Sequence, residues 1–339
     1  MTTRDPLLIV GAYGYDNVGD EAILAGLLAR LGRDRTTVVS RRPRRTAELH
    51  GVAAVGIADA LGALRTHPTV LIGGGGLFGS DMGRLGSLLP WYGLVAARLG
   101  RTVVVDGAGV DRETRTAVRL PLVALLRRAA RITVRDSVSK DVINSWGVTA
   151  EVAPDRSADM PPATAETGAR LLVAAGVDLR RPVIGLALTG VRPALTERVL
   201  AAALETVDAL PSAQFCFLPM SRHPFVPRHD DVHLGRRLQG LRPAVSVVDG
   251  SPHPAEMLAA FGFLSAVVSM RFHSLVFAER MGVPVVPVSY AAKTDEWLKE
   301  HEIAPVAPSG AAWIGALTAA LDSALPGDRG LRAHRPLAS

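Results

Sequence analysis

The sequence predicts an α/β protein with two doubly wound, Rossmann-like domains that face a cleft. Short apolar runs rich in β-branched residues alternate with helical patterns along most of the chain, which is typical of parallel sheets covered by helices on both faces. The 339 residues, 48% of them hydrophobic, are too many for one ordinary core and suit two domains of about 150 residues each. We place the domains at 1–160 and 183–325, with a linker at 161–182 and a mobile tail at 326–339.

Each predicted element is a short apolar run or an amphipathic stretch bounded by glycine, proline or charge. In the first domain the predicted strands are Leu7–Val10, Thr37–Ser40, Val70–Ile72, Thr102–Val105 and Ile132–Val134, and the helices are Glu21–Leu31, Leu85–Leu99 and Thr114–Ala129. After a short helix at Ala169–Ala175, the second set of strands is Val183–Leu188, Gln214–Leu218, Val245–Val248, Ala266–Ser269 and Val283–Val288. Its helices are Thr196–Leu210, Asp231–Leu241, Pro254–Phe263, Phe272–Met281 and Ala311–Ala324.

The amino-acid composition limits the classes of ligand and partner that the protein can bind. The formal net charge of +6 favours anionic ligands, but aromatic residues are only 5% and do not interleave with the arginine clusters, so the stacking platform that single-stranded nucleic acid needs is missing. The single cysteine, Cys216, lies in an apolar run and is expected to be a buried thiol in a reducing compartment. With no apolar signal segment after Met1, we expect a cytoplasmic protein with at most peripheral membrane contact.

A glycine-rich turn, Gly11–Leu24, joins the first predicted strand to the first helix. Its glycines permit close backbone approach, and the helix N-terminus offers N–H groups to an anion or a hydroxyl-rich ligand. Asp20 also fits a simple helix cap. In an alternative NADP-binding reading, Arg41 and Arg42 after the second strand would hold a 2′-phosphate, but the glycine spacing is not G-x-G-x-x-G and the acidic residues of the turn would repel a pyrophosphate.

A second glycine-rich segment, Gly73–Asp81, follows the third predicted strand. Four consecutive glycines are costly in backbone entropy, so a ligand or a very close backbone contact is expected there. A P-loop is excluded because no Gly-Lys-Ser/Thr follows. The third loop, Asp106–Gly109, sits at the equivalent place after the next strand, so all three loops are expected at one edge of the first sheet.

Cationic side chains follow two of the predicted strands. Arg271 and His273 come directly after the strand Ala266–Ser269, at the carboxyl end where open α/β sheets bind ligands. Arg135 follows Ile132–Val134 and either reaches an anion or pairs with the adjacent Asp136 to brace the turn. The alternative is a structural role for both residues, in which Arg271 donates to neighbouring carbonyl groups and His273 is hydrogen-bonded in the core.

Taken in order, these segments resemble the polysaccharide pyruvyl transferase family. The resemblance implies a GT-B-like fold and the transfer of a pyruvyl group from phosphoenolpyruvate to two hydroxyls of a sugar-containing acceptor, which forms a cyclic ketal in polysaccharide or cell-envelope biosynthesis. It also implies that Arg271 and His273 contact phosphoenolpyruvate. The resemblance is carried by YGYDNVGDEAIL at Tyr13–Leu24, GGGGLFGSD at Gly73–Asp81, VRDSVS at Val134–Ser139 and SMRFHSLVFAERMGVPVVPVSYAAK at Ser269–Lys293.

From this implied reaction we assign roles to individual side chains. Phosphoenolpyruvate is a compact anion, so Arg271 suits its carboxylate or phosphate, and His273 suits the phosphate and proton transfer. Arg135 and Lys293 add positive charge at the donor, and Asp20 or Asp81 is the base for the acceptor hydroxyls. No metal and no further cofactor are needed. The acceptor is expected to be a free, lipid-linked or nucleotide-linked sugar or glycan. The residues assigned to it are Gly14, Asn17, Asp20, Gly75, Gly76 and Asp81.

Two departures from the family pattern leave alternatives open. The family often has Tyr-Asp-Pro-Lys where this chain has Tyr290-Ala291-Ala292-Lys293, and a proline is usual where Arg156 follows Asp155. An unusual acceptor is therefore one alternative. A GT-B glycosyltransferase that uses a nucleotide sugar and a non-catalytic member that binds a phosphorylated ligand are the others.

Overall fold

The protein consists of two compact units, each built on a parallel β-sheet. A computed structural model describes residues 5–78 and 83–323, without the side chains of 83–85 and 292–293. One unit ends at Pro161 and the other begins at Pro162. Helices connect successive strands in both units, so the predicted class of two Rossmann-like α/β domains is confirmed.

The sheet of the first unit has seven strands, and its order reverses beside the first of them. The strands are β1 (Leu7–Val10), β2 (Thr36–Ser40), β3 (Ala53–Gly56), β4 (Thr69–Phe78), β5 (Thr102–Val110), β6 (Arg131–Val134) and β7 (Glu151–Val152), in the order β3-β2-β1-β4-β5-β6-β7. All neighbours are parallel. The helices are α1 (Val18–Leu31), α2 (Pro43–His50), α3 (Ala60–Ala63), α4 (Gly83–Arg98), α5 (Thr116–Leu126) and α6 (Ser137–Ser145), with 3-10 turns at Ile57–Asp59 and Arg156–Asp159.

The second unit repeats this plan with five strands. They are β8 (Val183–Ala187), β9 (Gln214–Phe217), β10 (Val245–Val247), β11 (Ala266–Ser269) and β12 (Val285–Pro287), all parallel, in the order β10-β9-β8-β11-β12. The order reverses between β8 and β11. The helices are α7 (Ala165–Ala174), α8 (Pro193–Ala209), α9 (Asp231–Leu241), α10 (Pro254–Phe261), α11 (Phe272–Met281), α12 (Ala292–Glu300) and α13 (Gly310–Ser323), with a 3-10 turn at Pro227–His229.

Strands β4 and β5 run further than the sequence predicts. The glycines expected to form loops after Ile72 and Val105 continue the pairing, with Gly73 opposite Asp106 and Gly75 opposite Ala108. The prediction of loops there was wrong because Gly74 and Gly75, at φ +87° and +77°, adopt left-handed conformations inside a strand whose register shifts. Glycine therefore lets this ladder bend without ending it.

The segment 161–182, predicted to be a linker, packs on the second unit. It carries α7, which lies against α10. A Cβ at Gly168 would come within 2.5 Å of the Ala259 carbonyl carbon, so glycine permits the close approach of the two helices. The Ala163 N–H also donates to the Ala255 carbonyl at 2.9 Å. The tail at 326–339 lies outside the described residues.

The single cysteine lies in the core of the second unit. Cys216 is fully buried in β9, as the apolar run around it predicts. Burial raises the pKa of its thiol to about 12, so the thiol stays protonated at neutral pH. Within residues 5–78 and 83–323, no helix combines the length and apolar character required to cross a bilayer.

Glycine also sets the contact between α1 and the 3-10 turn at Arg156–Asp159. A Cβ at Gly26 would lie 1.8 Å from the Arg156 carbonyl oxygen. We therefore expect Gly26→Ala to lower the free energy of unfolding by about 1–3 kcal/mol, because backbone must move to admit the methyl group. Chemical denaturation of the full chain measures this.

Gly240→Ala is the matched control for this substitution. Gly240 also lies in a helix, α9, but a Cβ there would meet no atom within 4 Å. Alanine at that position should raise the free energy of unfolding by up to about 1 kcal/mol through helix propensity alone. If both substitutions change the free energy of unfolding equally, the contact with Arg156 does not restrict the size of the side chain at position 26.

Candidate active site

Polar side chains gather in the second unit at the carboxyl ends of four neighbouring strands. Thr189 comes after β8, Ser221 after β9, Arg271 after β11 and Tyr290 after β12. Asp231, the first residue of α9, completes the group. The strand order reverses between β8 and β11, the position at which open α/β sheets bind ligands.

A buried ion pair lies at the centre of this group. Arg271 Nη2 donates to Asp231 Oδ1 at 2.5 Å, and Arg271 Nε donates to Oδ2 at 3.0 Å. The Ser221 N–H donates to the same Oδ2 at 3.0 Å, and Thr189 also bonds to this carboxylate. The Asp231 side chain is 0% exposed and that of Arg271 is 16% exposed. The two-point contact fixes the plane of the guanidinium group.

For each of the two groups of this pair, burial and ion pairing shift the pKa in opposite directions. Burial raises the pKa of the Asp231 carboxyl group, and the charge and hydrogen bonds of Arg271 offset this only in part. Burial alone would lower the pKa of Arg271, but the Asp231 carboxylate and Tyr290 raise it on balance. The guanidinium group therefore stays charged at every relevant pH.

The structure modifies both sequence interpretations of Arg271. The anion that it meets is a carboxylate of its own chain, not a set of carbonyl groups. Because the ionised pair has no net charge, a ligand at this edge would meet directed N–H donors and would need its positive charge from elsewhere. Asp231 engages Nε and Nη2, and the Tyr290 side chain forms a further hydrogen bond with the guanidinium group. Sequence reasoning missed Asp231, whose only signal is an aspartate pair that opens a helix.

His273 lies in the first turn of α11, two residues after Arg271. It is partly exposed, and its ring meets the ring of Phe272 edge-on at 5.2 Å. Phe272 in turn contacts Trp297 of α12 edge-on at 6.5 Å. The backbone of Lys293 lies in the first turn of α12, and its side chain lies outside the described part of the structure.

In the first unit, Arg135 lies across the glycine backbone of two strands. Its side chain is only 6% exposed, and its Nε donates to Asp136 at 3.1 Å. A Cβ at Gly109 would come within 2.8 Å of the guanidinium carbon, and one at Gly76 would lie 3.8 Å from Nη2. The structure thus brings together Arg135 and the glycines of β4 and β5, and it includes the bracing pair with Asp136.

The loop after β1 is held by contacts within the chain. Gly14, at φ +82°, donates its N–H to Glu21 Oε1 at 2.8 Å and accepts from Arg42 Nε at 2.9 Å, so its backbone fixes the loop. Glu21 also pairs with His50 at 2.8 Å in the core. Arg42, which the NADP reading would use for a phosphate, forms a 2.5 Å ion pair with Asp16.

Asn17, and not Asp20, caps helix α1. The Asn17 Oδ1 accepts from the N–H groups of Gly19 and Asp20 at 3.0 and 3.4 Å. One Asp20 oxygen lies 3.0 Å from the place where a Cβ of Gly75 would be. The partly exposed Asp20 carboxylate thus reaches the glycine segment of β4. Asp81 lies outside the described residues.

A second buried ion pair lies beneath the glycine segment of β5. Arg156 contacts Asp106 through Nε at 3.1 Å and Nη2 at 2.6 Å, and the Thr133 hydroxyl donates to Asp106 at 2.6 Å. Burial would raise the pKa of Asp106, but the hydrogen bonds from Arg156 and Thr133 lower it on balance. Arg156, the departure from the family's usual proline, therefore anchors the 3-10 turn to the sheet.

The fold has counterparts among solved structures of low sequence identity. UDP-GlcNAc 2-epimerase from Methanocaldococcus jannaschii has a TM-score of 0.63 at 11% identity, over 94% of this chain and 93% of that one. The Neisseria meningitidis UDP-GlcNAc 2-epimerase bound to UDP-GlcNAc gives 0.60 at 11%, over 93% and 91%. ADP-heptose LPS heptosyltransferase II from E. coli gives 0.54 at 12%, over 94% and 99%. Fold and site together define a GT-B-like protein of two Rossmann-like domains.

The sequence profile of one family, polysaccharide pyruvyl transferase, matches residues 17–291. The chain therefore belongs to the polysaccharide pyruvyl transferase family, a family of transferases, and the resemblance found in the sequence is confirmed. The match includes Asp20, Arg135, Arg271 and His273 and ends before Lys293. A search of curated protein sequences found no match.

Proposed function

We propose that the protein transfers a pyruvyl group from phosphoenolpyruvate to two hydroxyls of a sugar-containing acceptor and releases phosphate. Family membership supports the transfer of pyruvyl. The observation that carries the donor assignment is Arg271, held by Asp231 at the point where the strand order reverses. A planar guanidinium group with a fixed orientation suits the two-point recognition of a carboxylate or phosphate.

In this proposal the donor contacts differ in their chemistry. Arg271 uses the N–H groups that Asp231 does not engage. His273, two residues further along the chain, donates to the phosphate and carries the proton. Because the Arg271–Asp231 pair is neutral overall, Arg135 and Lys293 are assigned the remaining positive charge. Phosphoenolpyruvate acts as co-substrate, and the scheme assigns no further cofactor.

The reaction then balances without an external reagent. A proton added to the methylene carbon of phosphoenolpyruvate creates the methyl group and makes C2 electrophilic. One acceptor hydroxyl adds to C2, and the second displaces phosphate and closes the ketal. Of the two hydroxyl protons, one replaces the proton delivered to the methyl group and the other leaves with phosphate. We assign the removal of a hydroxyl proton to Asp20, beside Asn17, Gly75 and Gly76 on the acceptor side; Asp81 is a further proposed acceptor contact.

A thermal-shift titration tests whether phosphoenolpyruvate is the donor. Phosphoenolpyruvate at 100 times its dissociation constant should stabilise the folded protein by about 2.7 kcal/mol and raise the melting temperature. UDP-GlcNAc, the ligand of the Neisseria epimerase structure, serves as the competing ligand. A shift with UDP-GlcNAc and none with millimolar phosphoenolpyruvate would contradict the proposal and favour a nucleotide-sugar enzyme.

His273→Asn separates catalysis from binding within the same experiment. Asparagine keeps a hydrogen-bond donor and removes the proton carrier. The phosphoenolpyruvate shift should persist in this variant while phosphate release falls by at least about 100-fold. Loss of the shift with little change in rate at saturating donor would reassign His273 from proton transfer to anchoring.

A further inference from the structure

Helix α4 of the first unit presents an apolar face to solvent. Leu88, Trp91, Val95 and Leu99, spaced three or four residues apart on α4 and its C-terminal end, are 61%, 57%, 39% and 55% exposed. Surface helices ordinarily place polar residues at such positions. Contiguous exposed apolar side chains mark a surface that binds a partner or a membrane.

The neighbouring helix α5 also exposes an apolar side chain. It packs beside α4 and exposes Leu120 at 63%, next to the exposed Arg119. On α4, the exposed Arg98 likewise adjoins Leu99. We call the side chains of Leu88, Trp91, Val95, Arg98, Leu99, Arg119 and Leu120 the α4 surface.

The part of the chain that carries the α4 surface is rich in positive charge. From Gly83 to Arg131 the chain has nine arginines and three acidic residues, and one of the acids, Asp106, is buried in its ion pair with Arg156. Helix α4 itself contains no acidic residue. The complementary partner is therefore anionic as well as apolar.

This charge argues against two other occupants. In a twofold dimer a second copy of the chain would present the same arginine-rich surface to itself, which places like charges together. The C-terminal segment 324–339 has three arginines and one acidic residue and carries the same sign. A membrane with anionic lipids has both required properties, since tryptophan and leucine insert at the interface while arginine pairs with phosphate groups.

We propose that the α4 surface docks the first unit on membranes that contain anionic lipids. The inference rests on exposure and charge in the first unit and is independent of the proposed reaction. Trp91 and Leu88 enter the headgroup region, and Arg98 and Arg119 meet lipid phosphates. Docking of this kind is peripheral and depends on salt.

Co-sedimentation of the full chain with vesicles tests the proposal. One set of vesicles is phosphatidylcholine, and the other is an equal mixture of phosphatidylcholine and phosphatidylglycerol. We expect binding to the mixed vesicles only, weaker at high salt. Leu88→Ser with Trp91→Ser should reduce the affinity at least about tenfold, and Arg98→Gln or Arg119→Gln should each reduce it about fivefold.

Phe225→Ser with Leu241→Ser is the matched control, because these side chains of the second unit are exposed to a similar extent, 52% and 47%. The control should bind vesicles like the unchanged protein, and all variants should keep its melting temperature because the substituted side chains are exposed. Absence of binding to mixed vesicles, or equal binding by the α4 double variant, would overturn the proposal. So would a dimer in sedimentation velocity that dissociates in the α4 double variant while vesicles are not bound.

Discussion

Alanine in place of Arg271 is expected to lower the free energy of unfolding by about 3–5 kcal/mol and to abolish turnover with phosphoenolpyruvate. The destabilisation follows from Asp231, whose fully buried carboxylate would lose two N–H donors and its only described counter-charge. The loss of turnover follows from the proposed donor contact. Denaturant titration and phosphate release measure the two effects separately.

A double substitution distinguishes the structural role of Arg271 from its role in donor binding. Arg271→Met combined with Asp231→Leu removes both charges and fills the space with apolar side chains, which should restore most of the lost free energy of unfolding. Turnover should remain absent, because the guanidinium group is still missing. If the double variant regains both stability and turnover, Arg271 only neutralises Asp231 and does not contact the donor.

Asp106→Ala is expected to have an effect of similar size in the first unit. The substitution leaves Arg156, which is 7% exposed, without the carboxylate that binds its Nε and Nη2, and it deprives Thr133 of its acceptor. We expect the free energy of unfolding to fall by about 3–5 kcal/mol at neutral pH. Denaturant titration of the full chain measures this loss.

The lowered pKa of Asp106 gives the same prediction a pH dependence. A carboxyl group whose folded pKa lies below its unfolded value, about 3.9, stabilises the protein above that value, and its contribution decreases as pH falls below it. The difference between the unchanged protein and Asp106→Ala should therefore narrow below about pH 4. A difference that stays constant down to acid unfolding would contradict the assignment of this pair.

Asp178→Ala provides the comparison for an exposed ion pair. Hydrogen bonds from Arg180 lower the pKa of Asp178 to about 2, yet both side chains are in solvent. Solvent screens such a pair, so the substitution should change the free energy of unfolding little. The contrast with Asp106 tests whether burial, and not the pKa shift alone, determines the energetic effect.

Much of the fold follows from local sequence pattern. The strands at Leu7–Val10 and Ala266–Ser269 have the predicted bounds because each is an apolar run buried on both faces of a parallel sheet. Helix α2 was not predicted, because its sequence PRRTAELH has little apolar periodicity. The glycines of β4 indicate loops by local sequence because glycine has low strand propensity. In the structure, pairing with the neighbouring strand β5 keeps them in the sheet.

The candidate site was predictable only in part. The position of Arg271 after a strand located it at the edge of the sheet where ligands bind. Its partner Asp231 lies 40 residues away, at a helix start that an ordinary helix-capping aspartate would equally explain. The same limit applies to Arg156, because its partner carboxylate, Asp106, is 50 residues earlier in the chain. Ion pairs between residues at different strand ends depend on the topology of the sheet, which the spacing of residues along the sequence does not reveal.

The contact between Gly109 and Arg135 constrains how this protein can change by mutation. A methyl group at position 109 would overlap the guanidinium group, which is the movable end of a long side chain. Stability would then change little, while the charge would shift away from the ends of β4 and β5. A side chain at position 109 is therefore tolerated only with the cation displaced, so a substitution there changes where the positive charge lies and not whether the protein folds.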